Sequence, residues 1–546
     1  MRRFALVVAI VAAWLALPAT ASAARVAVGL AHGANADVVS ARIEQRTGKR
    51  PTSLSPIPAL VVDLPPGRSL GGIHGIRYVE RLVTRHLAYT PTDPLASKQW
   101  YLGYSGFYSP WITLPSFEPI PVAVIDSGVD AGHPDLAGKI LDAKSFVGGS
   151  ARVDTLGHGT FVAGIIGAGV NNGVGIAGLA PSSELLVAKV VTRSRSIPVD
   201  AEAKAIRWAV DNGARVINMS LGGIRDPLDP DRDTYSRLEA DAVAYAISNG
   251  VVVVAAVGNS DQAPSSPWHY ASYPAALPHV LGVSAMTETG GIPSFSNRDP
   301  IYNDVAAPGL DILSILPRPL TARYPSCSDQ GYSSCGPDEY RQAQGTSFAT
   351  PQVTAAAAVL LSLHPTLHPD QVTKILQSTA VDLNGSNGCP ACAEGRDAYS
   401  GWGRLDVAAA IAALSGPLPG RDVYETNDDL GPRAYTLFGP TRRLSAHLDF
   451  WDDQDDVYAI RLNRNQPVYI GLTGADASID LSLALWQPTA RSLERVADFR
   501  YRIRTSARPG ARQYLSFRPK LAGTFSVQVR ISSPGATRYR LAIVKG

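Results

Sequence analysis

Gly345-Thr346-Ser347-Phe348-Ala349-Thr350-Pro351 leads into an apolar, alanine-rich run, Gln352 to Leu363. The run reads as a buried helix. Thr346 and Ser347 fall just ahead of it, where main-chain N–H groups lack intrahelical partners and the helix field favours negative charge. Pro351 suits a first helical turn, where its missing N–H is not needed. A serine so placed is either an ordinary N-cap or a nucleophile whose oxyanion those N–H groups would hold. The rest of the chain decides between the two.

Upstream, apolar strands alternate with helices. Pro121 to Ile125 is a strand ending in Asp126-Ser127-Gly128, and Leu185 to Val191 is a second. Val199 to Asn212 is a helix closed by Gly213, and Val216 to Met219 is a strand running into Ser220-Leu221-Gly222-Gly223. Leu238 to Ser248 is a helix, and Val251 to Val257 is a strand running into Gly258-Asn259. Continuous Val/Ile strands between helices predict an α/β fold with a doubly wound, mostly parallel sheet covered on both faces. Ligands bind such sheets outside the carboxyl ends of the strands. Asp126, Ser220 and Asn259 all stand at such ends. His158 opens a small-residue helix in Gly157-His158-Gly159-Thr160-Phe161-Val162-Ala163-Gly164, whereas His269, His364 and His368 sit in polar or proline-flanked loops.

The chain has 546 residues, 45% of them hydrophobic and 18% charged, with a net charge of +3. That balance is globular and points to neither nucleic-acid nor membrane-surface binding. Arg2 and Arg3 precede an apolar run from Phe4 to Leu17, then Ala21-Ser22-Ala23, which reads as a signal peptide over residues 1–23. No later stretch reads as long and apolar enough to span a bilayer. The expectation is a secreted, soluble monomer. Cys327 and Cys335 flank one loop, and Cys389 and Cys392 lie in another. Four cysteines allow three pairings, with local bridges the first expectation; a zinc site lacks spaced histidines, and a redox motif lacks the strand–helix setting. Residues 24–90 form a small α/β unit, a binding module or a propeptide, with a strand at Arg25 to Leu30, a helix at Ala36 to Thr47 and strands at Ala59 to Leu64 and Ile76 to Val83. A Gly/Pro linker at 417–421 closes the segment 91–416. Residues 422–546 carry short strands separated by turns and no helix, a β-sandwich pattern.

Five blocks then carry a resemblance. They are Val124-Ile125-Asp126-Ser127-Gly128 with His133-Pro134-Asp135-Leu136, the block around His158, Asn218-Met219-Ser220-Leu221-Gly222, Ala255-Ala256-Val257-Gly258-Asn259, and Gly345 to Pro351. In this order they resemble the subtilisin-like serine proteases over about Asp93 to Leu414. The resemblance implies a secreted serine endopeptidase acting through an acyl-enzyme. Ser347 would be the nucleophile, His158 the general base, Asp126 its orienting carboxylate and Asn259 an oxyanion donor. Ser220, Leu221 and Gly222 would pair with an extended peptide, and Ala256, Val257 and Gly258 would form a wall of the primary pocket. Arg193-Ser194-Arg195-Ser196-Ile197 stands where relatives carry glycines, and we expect it to narrow or charge the subsites toward acidic substrates. Two departures, Phe348 and Thr354-Ala355, fall at packing positions and remove no chemical group.

The loop Val170 to Ile176 resembles the family's calcium loop. Asn172 would supply its side-chain oxygen, Val170, Val174 and Ile176 their carbonyls, and Asp93 and Asp135 their carboxylates; a plain Asn/Gly turn is the alternative. No organic cofactor is implied. Residues 24–90 resemble the family's propeptide, an inhibitor cut off by the enzyme near Tyr89 to Thr92. Residues 422–546 resemble the bacterial pre-peptidase C-terminal domain through Tyr424-Glu425-Thr426-Asn427-Asp428, Asp455-Asp456-Val457-Tyr458, Asp480-Leu481-Ser482-Leu483 and Ala522-Gly523-Thr524-Phe525. Protein or peptide substrates are the expected partners. A processing protease of narrow specificity and an inactive binding protein on the same fold are the alternatives.

Overall fold

A computed structural model describes residues 24–65, 68–82, 89–111, 113–323, 333–334, 338–493 and 496–546. The signal-peptide stretch and Cys327 and Cys335 lie outside the described residues. The chain divides into two compact units, Met1–Leu87 and Ala88–Gly546.

The first unit is an antiparallel sheet in the order Thr52–Ser53, Ala59–Leu64, Ala24–Leu30, Ile76–Arg81, with one helix, Ala36–Thr47. Asn35 caps that helix by accepting the N–H groups of Asp37 and Val38, and Gly48 ends it in the left-handed region at φ 68°. Val39 and Ile43 on the helix meet Val26, Val28, Leu60 and Val62 on the strands. The period of two in the strands and four in the helix builds this small core.

The second unit opens on a seven-stranded parallel sheet. Its strands are β1 (Ile120–Asp126), β2 (Ile140–Ser145), β3 (Ser183–Lys189), β4 (Val216–Met219), β5 (Val252–Ala256), β6 (Val280–Met286) and β7 (Val305–Pro308), in the spatial order β7-β6-β5-β4-β1-β3-β2. The chain runs to one side of β1 for β3 and β2 and to the other for β4. The carboxyl ends of β1 and β4 therefore flank the point where strand order reverses, where a crevice opens in such sheets. Four helices matter here: α1 (His158–Gly167), α2 (Val199–Asp211), α3 (Arg237–Ser248) and α4 (Thr346–Leu363). One face of the sheet packs on α1 and α4, the other on α2 and α3.

α4 corrects two expectations. It begins at Thr346, so Ser347 lies inside its first turn and Pro351 lies in its interior. A proline there removes the hydrogen bond to the residue four positions earlier, and the carbonyl so freed, that of Ser347, accepts the Ser220 hydroxyl instead at 2.8 Å. α4 is also 18 residues long with mean hydropathy 1.3, enough by length and composition to cross a membrane, yet 89% of it is buried within the fold.

The expected sandwich follows. One sheet runs Tyr435–Leu437, Asp455–Leu462, Gly523–Ile531, Leu481–Trp486, Arg502–Ser506, and the other Thr441–Asp449, Ala536–Lys545, Val468–Gly474, Arg512–Phe517. All pairs are antiparallel except the short first one. Alternate residues of both sheets, such as Leu448, Ile460, Ile470, Leu483, Val527 and Leu541, form its core. Cys389 and Cys392 are bridged, as the local-bridge expectation has it.

Glu202 on α2 and Glu239 on α3 are both buried. Burial, then the facing Glu239, holds the Glu202 carboxyl well above its usual range, and burial pushes Glu239 up to about 7. Raised carboxylate values mean stability that is fully present below about 4.5 and lost as pH climbs through about 7 and beyond. Glu202→Gln is therefore expected to raise Tm by about 3 °C or more at pH 9 and to leave it nearly unchanged at pH 5. Equal shifts at both pH values in a thermal scan would remove this account.

Candidate active site

Asp126 ends β1 and is buried, and both its carboxylate oxygens stand 2.9 Å from Nδ1 of His158. Its Oδ1 also accepts the Ser127 N–H at 2.7 Å, which fixes the carboxylate. His158 opens α1, and Gly159 lets that helix approach β1: a Cβ there would lie 2.2 Å from the Gly128 carbonyl oxygen. Burial alone would lower the imidazole's proton affinity. The Asp126 charge and hydrogen bond, with Asp154 behind them, outweigh burial and raise it above the ordinary histidine value.

Asp154 is a buried support of this site that sequence reading missed. It accepts the Ser127 hydroxyl, the N–H groups of Leu156, Gly157 and Thr160, and the Thr160 hydroxyl, all at 2.7 to 3.0 Å. α1 is preceded by Gly157, which has no side chain to cap it. An acidic residue a few positions upstream of an uncapped helix start was the available signal.

Ser347 and His158 line one cleft of about 820 Å³ with Asp126, Ser220, Leu221, Gly222, Ala256, Gly258 and Asn259. The Ser347 hydroxyl donates to the Ser220 carbonyl at 3.1 Å. Asn259 follows β5, and its Oδ1 accepts both the N–H and the hydroxyl of Thr346, at 3.1 and 3.2 Å. The acceptor end of the amide is thereby committed to the start of α4. Phe348 packs between His158 and Phe161, with ring centroids at 5.4 and 4.5 Å.

The side chain of Val257 is fully buried behind the sheet, because side chains alternate along a strand end, which leaves its main chain for the wall expected of it. Ala256 and Gly258, one step to either side, face the cleft. Gly258 is required there, with φ 95° and a Cβ position 2.2 Å from Oγ of Ser272. Arg195 and Ile197 border the cleft, Arg195 at the tip of a turn pinned by hydrogen bonds among Thr192, Ser194 and Ser196.

The loop expected to hold calcium gathers Asp93 and Asp135. Asp93 accepts the N–H groups of Asn171 and Asn172 at 2.8 and 3.0 Å, and Asp135 accepts that of Ile176 at 3.0 Å. Burial first, and the like charge of Asp93, raise the Asp135 carboxyl. Among the described residues no hydrogen bond reaches the carbonyls of Val170, Val174 or Ile176. Oδ1 of Asn172 accepts the Val174 N–H at 2.7 Å, and its Nδ2 donates to Asp135 at 3.3 Å. Asn172 thereby bonds the backbone two residues on, as asparagine does in a turn of this kind.

A second set of groups able to ligate a metal went unread. His279, in the turn before β6, meets Glu425, Asp428 and Asp453 of the sandwich segment, with one ligand-type atom from each lying within 4.8 Å of the others. Burial would lower the imidazole's proton affinity, but Asp428 and Glu425 hold it well above the usual histidine range. A lone histidine followed by valine gives no hint of carboxylates over a hundred residues away.

A family model described as the Subtilase family matches residues 119–403. The chain is 34% identical to fervidolysin of Fervidobacterium pennivorans over 349 residues, covering 60% of this chain and 45% of that protein. It is 37% identical to a subtilisin of Bacillus pumilus over 293 residues, covering 53% of this chain and 90% of that one. Among solved structures, a protease from Pseudoalteromonas arctica aligns with a TM-score of 0.49 and 29% identity, covering 60% of this chain and 99% of that one.

Proposed function

Because the chain belongs to the subtilase family, the serine endopeptidases of subtilisin type, we propose that it hydrolyses peptide bonds with Ser347, His158 and Asp126 and is made as a self-processing, secreted zymogen. The observation that carries this reading is the carboxylate of Asp126 locked on Nδ1 of His158 in the cleft that also holds Ser347. With Nδ1 committed to Asp126, Nε2 is the nitrogen left to take a proton. The Ser347 hydroxyl turns from the Ser220 carbonyl to Nε2, Oγ attacks the scissile carbonyl carbon, and its proton passes to His158. The tetrahedral oxyanion rests on Nδ2 of Asn259 and the Ser347 N–H. Collapse expels the amine with the His158 proton and leaves an acyl-serine, which water hydrolyses by the same steps. Protonated His158 cannot act as base, so its raised proton affinity places the acid limb of kcat/KM above the ordinary histidine range.

Ser220 to Gly222 serve as the edge that pairs with the substrate, and Ala256 and Gly258 as the walls of the primary pocket. Arg195 gives the opposite edge a positive charge that favours acidic residues. Residues 24–90 are the inhibitory propeptide in this reading, left after removal of the signal peptide over residues 1–23. The reading is tested by treating the purified, processed chain with a fluorophosphonate. The expected result is one adduct on the peptide carrying Ser347, with loss of casein hydrolysis in proportion. An adduct elsewhere, or none, would sink it.

Calcium belongs to the same proposal. Two converging carboxylates and three carbonyls without hydrogen-bond donors suit a hard cation, once the Asn172 amide turns its oxygen inward. Asp93, Asp135, Asn172 and the carbonyls of Val170, Val174 and Ile176 would hold the ion, whose part is to tie residues near 93 to the loop. Chelation is expected to lower Tm by several degrees, since an ion at about a hundred times its Kd adds roughly 2.7 kcal/mol. Asp135→Asn is expected to remove most of that calcium dependence. A chelator-insensitive Tm in the wild-type chain would exclude the ion.

A further inference from the structure

Thr354 lies two turns beyond Ser347 on α4 and is fully buried. Its hydroxyl donates to Oδ1 of Asn218 at 2.8 Å. Nδ2 of the same amide donates to Oγ of Ser220 at 3.0 Å, and the Ser220 hydroxyl donates to the main-chain carbonyl of Ser347 at 2.8 Å. The Ser347 hydroxyl in turn reaches the Ser220 carbonyl at 3.1 Å. Asn218 is fully buried, so water cannot substitute for a missing partner at its amide.

Each bond fixes the sense of the next. Thr354 has one hydroxyl proton and gives it to Asn218, so that the Asn218 oxygen is the accepting end and its NH₂ must face Ser220. Ser220 Oγ, already receiving an N–H, directs its own proton to the Ser347 carbonyl. That carbonyl has no other helical donor, because Pro351 stands where its N–H partner would be. The Ser347 carbonyl is thus held by a side chain from β4's exit in place of a helical N–H.

We propose that Thr354 is a positioning residue: through Asn218 and Ser220 it sets the Ser347 peptide, and with it the direction of the Ser347 Oγ and N–H, for attack. The proposal rests on Ser347 being the nucleophile. Removal of the Thr354 hydroxyl leaves the Asn218 oxygen without a donor in a sealed interior, which favours rotation or withdrawal of the amide. Ser220 then loses the N–H that orients its proton, and the Ser347 carbonyl loses its one donor. The cost falls on acylation, since substrate pairing with the main chain of Ser220 to Gly222 is not touched.

The test compares wild type with Thr354→Val, which keeps shape and removes the hydroxyl, and with Thr354→Ser, which keeps the hydroxyl. Read-outs are the rate of reaction with a fluorophosphonate, kcat and KM on a peptide ester, and Tm. Thr354→Val is expected to slow fluorophosphonate uptake and kcat about tenfold with KM within about twofold, and Thr354→Ser to restore both rates. In the cycle with Ser220→Ala, the double variant is expected to be little slower than Ser220→Ala alone, because both act on one bond chain. Wild-type rates in a Thr354→Val chain of lowered Tm would assign Thr354 to packing only. Equal losses in Val and Ser variants, or independent multiplication of the two losses, would overturn the relay. Failure of wild type itself to take up the reagent at Ser347 would instead remove the catalytic reading on which the relay stands.

Discussion

Ser347→Ala, expressed with its full sequence and collected outside the cell, is expected to begin at Ala24 or Arg25, whereas wild type begins near Thr90 to Asp93. The reason is chemical and local. Ser347 shares the cleft with His158 and stands in the first turn of α4, where main-chain N–H groups lack helical partners. Removal of the corresponding serine in subtilisin lowers kcat by roughly a million-fold, and that figure is taken over from the relative. A self-cleavage that depends on Ser347 then stops on any practical time scale. The position of the cut also has a structural argument. Thr92 donates its N–H to Oδ1 of Asn171 at 2.8 Å, and Asp93 holds the N–H groups of Asn171 and Asn172. A new N-terminus just ahead of Thr92 keeps these bonds, while one beyond Asp93 would discard them. Intact mass and N-terminal sequencing of both proteins read the result. If both retain the residues before Tyr89, another protease matures the chain or Ser347 is idle, and the inactive binding protein becomes the better account.

The elements that sequence reading delivered share one property: their side chains answer to near neighbours. The helix Ala36–Thr47 and the strand Val216–Met219 have the bounds expected of them, because cap, period and apolar run all lie within the segment. β6 escaped because Gly282 interrupts it. That glycine is there so that the Tyr302 carbonyl can approach, with a Cβ position 2.0 Å from its oxygen. β2 escaped because its residues are half exposed and partly charged at the sheet edge. In the site, Asp126, His158, Asn259 and Ser347 were legible through the small residues that surround them, since close approach needs glycine and alanine nearby. Asp154, Asn218, Thr354 and His279 were not. Each of the last three is tied to a partner distant in sequence, and a hydroxyl or imidazole carries no local mark of which distant group it meets. Thr354 was read as packing, and only the fold puts Asn218 against it.

Asn259→Ala is expected to lower kcat by about 10² to 10³ and to change KM little, the loss known for the matching donor of subtilisin. The geometry explains why the loss should fall on kcat. Oδ1 of Asn259 is taken by the N–H and hydroxyl of Thr346, so Nδ2 is the end of the amide left for the cleft. A ground-state carbonyl oxygen gains little from that donor, while a tetrahedral oxyanion gains a great deal, because only in the transition state is the charge formed. Asn259→Asp makes a sharper comparison. It keeps the size and the acceptor for Thr346, but it replaces the donor by a negative group facing a developing negative charge. It is expected to be slower still than Asn259→Ala. If the alanine variant owed its loss to the Thr346 N–H left without an acceptor, the aspartate would restore activity along with that bond. Steady-state kinetics of the two variants, with Tm measured on each, therefore separates a donor to the oxyanion from a clamp on the helix start. A kcat reduced less than about tenfold in Asn259→Ala, or a loss expressed wholly in KM, would take Asn259 out of the chemistry.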